Sequence, residues 1–335
     1  MERLAAGVDV GGTNTVTGLV DAKGKIYGQR SFKTKDYPYF CDYVERLVQD
    51  INFLVRQNEG AVLAGIGIGA PNADHFKGVL LNPVNIRWYE RGSEPFGPDN
   101  MKVIPFVEAL KGYFPSLPVL VDNDANAAAT GEMIYGGARG MKDFIEITLG
   151  TGLGAGIVSN GDMVYGYGGM AGELGHIIVR PGGRSCGCGR RGCLETYVSA
   201  TGIVRTMLEI LASDDRPSRL RNVAVAEMNS KMIADAAAEG AALAAEAFER
   251  TGEILGLAKA NFVVFSYPEA IFLFGGLAQS GGLLWEPAKR YMEANMMRNF
   301  AGMVKLLPSG IDCSNAAVLG ASALVWKELM RLESL

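Results

Sequence analysis

A chain of 335 residues, 48% apolar and 20% charged, has the makeup of a globular protein of about two domains, which excludes a disordered or fibrous chain. Its net charge of −4 supplies no basic face for nucleic acid, and no stretch reaches the ~18 apolar residues that a bilayer span requires. Glycine is in excess, 44 residues with no three-residue period, so it serves tight turns and close backbone approaches rather than a collagen helix.

The first elements read as strand, turn, strand, turn, strand. Ala5–Val10 and Val16–Val20 are apolar, and a third strand begins near Ile26. Phe40–Val55 has helical spacing, with Val44, Leu47, Val48, Ile51 and Leu54 on one face. Leu63–Ala70 reads as a buried strand ending at Pro71, and Val119–Val121 as another, followed by the Ala-rich helix Ala125–Tyr135. The opening pattern then returns in FIEITLGTGLGAGIVSNGDMVYGYGG. Asp9 falls on Thr148 and Gly11 on Gly150 at an offset of 139, while Gly18 falls on Gly156 and Tyr27 on Tyr165 at 138. One deleted residue reconciles the two offsets and suggests a duplication. Thr201–Phe265 is mostly helical scaffold, Ile271–Phe274 a strand ending in two glycines, and Asn315–Glu328 a final apolar helix. Strands alternating with helices predict α/β architecture in both halves. The expected division is 1–122 with 316–335 in one lobe, and 123–315 in the other.

The amino-terminal MERLAAGVDVGG has no apolar core long enough for a signal peptide, so the expected compartment is the cytoplasm. Several chemistries are excluded by motif: there is no G-x-x-x-x-G-K-[ST] loop and no G-x-S-x-G elbow, and the two histidines, His75 and His176, are 101 residues apart. The positive signals are three. D-V-G-G-T-N-T (Asp9–Thr15) and T-L-G-T-G-L-G (Thr148–Gly154) each place glycine and threonine between two strands, where successive N–H groups form an anion nest. Two such turns, one per lobe, suit a polyphosphate, with Mg²⁺ expected beside Asp9 because a bare carboxylate repels phosphate. His176, Cys186, Cys188 and Cys193 make a Cys₃His set suited to a closed, structural Zn²⁺ site. The spacing is C-x-C, not the redox C-x-x-C, and five cysteines make no disulfide framework. The third signal is Asn123–Asp124 after a strand and at a helix start, where the positive helix end is expected to keep Asp124 ionised as a proton acceptor. Asp122 is expected on the opposite strand face, as an uninvolved neighbour. Glu173 and Glu195 flank the cysteine loop, and Asn72, Asn85 and Trp88 follow the strand that ends at Ala70.

Together these motifs resemble the ROK family (repressors, open reading frames and kinases) of the sugar kinase, actin and heat-shock ATPase superfamily. The likeness runs from about Val8 to Leu324, and G-E-L-G-H followed by C-G-C-G-R-R-G-C-L-E is its most specific part. It implies two ribonuclease-H-like lobes with a cleft between them, closing on sugar, and an ATP-dependent hexokinase, glucokinase-like. It implies ATP contacts at Asp9, Gly11, Gly12, Thr13, Thr148, Gly150, Thr151 and Gly152, with Gly275 and Gly276 opening the loop that packs on adenosine. Sugar hydroxyls would meet Asn123, Asp124, Glu173, His176 and Glu195, with Asn72 and Asn85 in the same substrate set. Asp124 is the expected general base, because His176 is committed to zinc and Asp9 to the cation. ATP, Mg²⁺ and Zn²⁺ are the expected cofactors, and a homodimer the expected assembly, with no nucleic-acid or membrane partner. The alternatives are the same chemistry on fructose, N-acetylmannosamine or N-acetylglucosamine, and a sugar-responsive repressor of the same family. The repressor branch carries a helix-turn-helix before the first phosphate turn, and with eight residues before Asp9 no such module is expected here. An actin-like ATPase would have no use for the cysteine cluster. The sequence departs from the family pattern at Asn72, where many members have glycine, and in a long stretch at Tyr89–Pro105.

Overall fold

The computed structural model describes residues 2–83, 85–94 and 99–333, so residues 95–98 of the long stretch lie outside the described residues. The elements in chain order are β1 (Glu2–Val10), β2 (Asn14–Val20), β3 (Ile26–Lys33), α1 (Phe40–Gln57), β4 (Ala61–Gly69), β5 (Ala73–Asp74), β6 (Val79–Leu81), β7 (Val103–Ile104), α2 (Phe106–Lys111), β8 (Val119–Asp122) and α3 (Asp124–Ile134). Next come β9 (Phe144–Leu149), β10 (Leu153–Ser159), β11 (Asp162–Met163), α4 (Ala200–Ser213), α5 (Ser230–Ala238), α6 (Ala242–Ser266), β12 (Ala270–Phe274), α7 (Gly282–Asn295), β13 (Lys305–Pro308) and α8 (Ala316–Glu333).

Two compact units result. The first comprises Met1–Gly140, Met163–Ala171 and Gly310–Leu335; the second comprises Met141–Asp162 and Gly172–Ser309. Their sheets repeat one topology, β3-β2-β1-β4-β8 in the first and β11-β10-β9-β12-β13 in the second. In each, a hairpin precedes strands that run parallel to its first member. This is the duplication suggested by the offsets of 138 and 139.

The first sheet is covered on both faces. Leu4, Ala6, Val8 and Val10 of β1 meet Val44, Leu47, Val48, Ile51 and Leu54 of α1 in one core. That core continues into an aromatic group in which Trp88 lies 4.3 Å from Tyr43 and 5.2 Å from Phe40, so Trp88 is packing rather than site. The opposite face is stripped of side chains where α8 crosses it. A Cβ on Gly7 would fall 2.1 Å from the Val318 carbonyl oxygen, and one on Gly67 1.9 Å from that of Ala321. Only glycine permits this approach.

The unit boundary differs from the sequence expectation, which opened the second lobe at residue 123. Helix α3 belongs to the first unit because it packs on α8 through small residues: a Cβ on Gly320 would lie 2.6 Å from the Ala127 carbonyl oxygen. The segment 163–171 also joins the first unit, although it begins at the last residue of β11.

Candidate functional site

In the first unit, β1, β4 and β8 are parallel neighbours, and their carboxyl ends carry Asp9, Gly69 and Asp122. Ligands in open α/β sheets bind beyond such strand ends. After β1 the chain turns tightly: the Gly11 N–H donates to the Asn14 carbonyl at 3.0 Å, and the Thr34 hydroxyl donates to the Gly11 carbonyl at 2.7 Å. Thr34 and Tyr43 in turn meet the Thr15 hydroxyl, each at 2.9 Å, so α1 and the turn that follows β3 brace it. Gly12 faces Asn85, whose backbone is left-handed at φ 63°. A Cβ on Gly12 would sit 2.9 Å from the Asn85 Cβ, so the structure brings this pair of expected site residues together.

Asn123 caps α3, its side-chain oxygen accepting the Ala125 N–H at 2.9 Å. Asp124 occupies the first helical position and accepts the same N–H at 2.9 Å. Solvent reaches its side chain, yet protein surrounds it, and this enclosure pushes its carboxyl upward against the pull of the Ala125 N–H. The pull of the helix end is thus opposed by the surrounding protein, and the net direction is upward. Asp9 is pushed up to about 6, first by burial and then by the charge of Asp124. Asn72, at φ 56°, commits both amide hydrogens within its loop, donating to the carbonyls of Leu81 at 3.1 Å and Asn82 at 3.0 Å. It can only accept from a ligand.

Asp122 departs from its expected role as a bystander. It is fully buried and takes three hydrogen bonds: from the Asn123 N–H (2.8 Å), the Asn126 amide (2.9 Å) and the Tyr165 hydroxyl (2.7 Å).

In the second unit, the turn after β9 is held from three sides. The Leu277 N–H donates to the Leu149 carbonyl at 3.1 Å, and a Cβ on Gly275 would fall 2.6 Å from that oxygen, so the Gly275–Gly276 loop lies against the start of the turn. From α4, the Ala200 N–H donates to Gly150 and the Thr201 hydroxyl to Thr151. From the cysteine loop, Glu195 Oε2 accepts the Leu153 N–H at 3.2 Å, and a Cβ on Gly152 would lie 2.3 Å from it. The same Glu195 reaches Cys186 Sγ at 3.5 Å through Oε1. Glu195 thus joins the cysteine loop to the turn, while the sequence suggested only a sugar contact. The anchoring by Thr201 falls at the first residue of what reads as scaffold, and that by Ala200 just before it; Ser199, which caps α4, is the local signal.

The four expected metal ligands converge. His176, Cys186, Cys188 and Cys193 place one ligand atom each within 4.8 Å of one another. Cys186 Sγ is 3.5 Å from His176 Nδ1, and the Cys188 and Cys193 sulfurs are 3.7 Å apart. A tetrahedral ion at ~2.3 Å from sulfur and ~2.0 Å from nitrogen sets its ligand atoms about 3.5–3.8 Å apart, so the donor set fits zinc. His176 turns its other nitrogen, Nε2, toward Glu173 Oε2 at 3.8 Å. Arg184, unremarked in the sequence, holds the loop: buried, it donates to the carbonyls of Thr196 and Gly202 and forks onto the Glu209 carboxylate.

The ROK family profile matches residues 5–328. The chain belongs to the ROK family. A glucokinase of Halalkalibacterium halodurans is 33% identical over 99% of this chain and 98% of its own length. The crystal structure of a ROK family glucokinase from Streptomyces griseus in complex with glucose and AMPPNP superposes at a TM-score of 0.76, with 30% identity, covering 97% of this chain and 99% of that one. A ROK family transcriptional regulator, a homolog of the E. coli MLC protein, superposes at 0.81 with 26% identity over 98% of this chain and 79% of that one. The two repeated sheets are therefore the ROK form of the actin and hexokinase type of fold.

Proposed function

We propose that this ROK chain transfers the γ-phosphoryl group of MgATP to the 6-hydroxyl of glucose. The protein is an ATP-dependent hexokinase; glucose as its substrate and Asp124 as its base are our reading. The observation that carries it is the pair Asp9, near the end of β1, and Asp124, at the start of α3 just beyond the end of β8, in one unit, with Asp9 raised first by its enclosure and then by the charge of Asp124. Two carboxylates so placed divide the labour of phosphoryl transfer. Asp9 meets the magnesium that arrives with the nucleotide, and Asp124 accepts the hydroxyl proton.

In that reaction the bond between the γ-phosphorus and its bridging oxygen breaks, a bond from phosphorus to the sugar oxygen forms, ADP departs, and the hydroxyl proton passes to Asp124. The transition state is largely dissociative, so the base chiefly orients the hydroxyl and takes its proton late. An upward-shifted carboxylate is the better proton acceptor, provided the working pH leaves it ionised. The N–H groups of Gly11 and Gly150 are spent inside their own turns, on Asn14 and Gly152, so the donors for phosphate oxygens would come from the other residues of these turns, Gly12 and Thr13 in one and Thr151 and Gly152 in the other. His176, Cys186, Cys188 and Cys193 would hold a structural zinc ion, which fixes the loop that carries Glu195. The same proposal includes a homodimer, read by sedimentation.

A coupled assay of ADP release over glucose, fructose, N-acetylglucosamine and N-acetylmannosamine tests the substrate. The highest kcat/KM is expected on glucose; preference for another sugar overturns glucose. Sugar binding without any turnover overturns the enzyme and favours a sensor like the regulator that shares this fold.

A further inference from the structure

The segment 163–171 leaves the second sheet, packs with the first unit, and returns. Tyr165 ties it to that unit, whereas Tyr167 is wholly exposed. The Tyr165 ring stacks on His75, with centroids 4.2 Å apart and planes at 12°, and its hydroxyl donates to Asp122 Oδ2 at 2.7 Å. His75 Nδ1 lies 3.2 Å from the Val121 carbonyl and 3.4 Å from Asp122 Oδ2. Both neighbours are acceptors, so this nitrogen carries the proton and donates. The two ends of the Asp122 carboxylate therefore do different things. Oδ2 accepts from Tyr165 and lies beside His75, whose Nδ1 bonds the Val121 carbonyl, and Oδ1 accepts from the Asn123 N–H and the Asn126 amide on either side of Asp124. A fully buried carboxylate is costly unless donors surround it, so its rotamer follows those donors.

We infer that Tyr165 is a positioning residue which, through Asp122, sets the place of Asn123 and Asp124 at the start of α3. The inference rests on the reading of Asp124 as the base. Its physical basis is rigidity: a base displaced by a fraction of an ångström loses rate, and displacement of about 1 Å costs on the order of a hundredfold.

The test is a double-mutant cycle with an exchange measurement beside it. Tyr165→Phe keeps the ring stack on His75 and removes only the hydroxyl, so the variant folds and its melting curve serves as the control. We expect kcat to fall about tenfold with KM for glucose and for MgATP within about twofold. In the Asp124→Asn background the same substitution should cost less than about twofold, because a group acting through Asp124 has nothing left to position. Hydrogen exchange of the peptide covering residues 120–130 should quicken in Tyr165→Phe, while peptides from α1 do not change. Full, multiplicative loss in the double variant overturns the inference, as does unchanged exchange over 120–130. If the wild-type protein phosphorylates no hexose, the reading of Asp124 fails instead, and the exchange measurement alone decides whether Tyr165 orders the start of α3.

Discussion

Asp9 and Asp124 are electrostatic partners of like sign: Asp9 is pushed up to about 6, first by the protein that encloses it and then by the charge of Asp124. A carboxyl raised in the folded state binds its proton more tightly there than in the unfolded chain. The stability it contributes is complete below about pH 4, its ordinary range, and is lost as the pH rises toward 6. A cation opposite Asp9 cancels that loss. The rise in Tm produced by Mg²⁺ with AMPPNP should therefore be larger at pH 7.5 than at pH 5, and Asp9→Asn should flatten the difference. An equal rise at both pH values in the wild type contradicts the assignment of Asp9 to the cation.

Asp124→Asn keeps the size and one hydrogen bond of the side chain but cannot take a proton. We expect kcat to drop by at least ~10², the usual worth of a positioned base, with KM for glucose and MgATP little changed. Asp122→Asn is no control for this experiment, because Asp122 is buried among three donors. Glu59, exposed in the turn after α1, is a suitable one, and Glu59→Gln should match the wild type. Near-normal kcat in Asp124→Asn removes it as the base.

Elemental analysis of untagged protein should find about one zinc per chain. Stripping the metal, or replacing Cys193 by Ala, should lower Tm and raise KM for the sugar together, since Glu195 ties the cysteine loop to the turn after β9. Full activity in metal-free protein refutes a structural zinc.

The glycine face under α8 predicts a stability effect far from any chemistry. Gly67→Ala places a methyl group 1.9 Å from the Ala321 carbonyl oxygen, so α8 must move. Urea denaturation should show a loss of about 3 kcal/mol or more, at the upper end of overpacking penalties. Gly168→Ala, where a Cβ meets nothing within 4 Å, should cost little.

Local chemistry was enough to read much of this protein from its sequence. Apolar runs marked β1, β4 and β9, helical spacing marked the buried face of α1, and four metal-binding side chains within eighteen residues marked a cluster that the fold does assemble. These signals are short-range: a strand, an amphipathic turn or a chelating loop declares itself within about twenty residues. The tertiary structure alone decided the rest. Helix α3 joins the first unit because Gly320, nearly two hundred residues away, lets α8 reach Ala127. The expected bystander Asp122 became the hub of a buried network because Tyr165 and His75 arrive from separate loops, and side-chain alternation tells which face a residue takes but not what meets it there. Asn72 spends its amide on its own loop for the same reason. The raised titrations of Asp9 and Asp124 are likewise beyond sequence, since a carboxyl's acidity is set by its dielectric surroundings and nearest charges, and both exist only once the chain has folded.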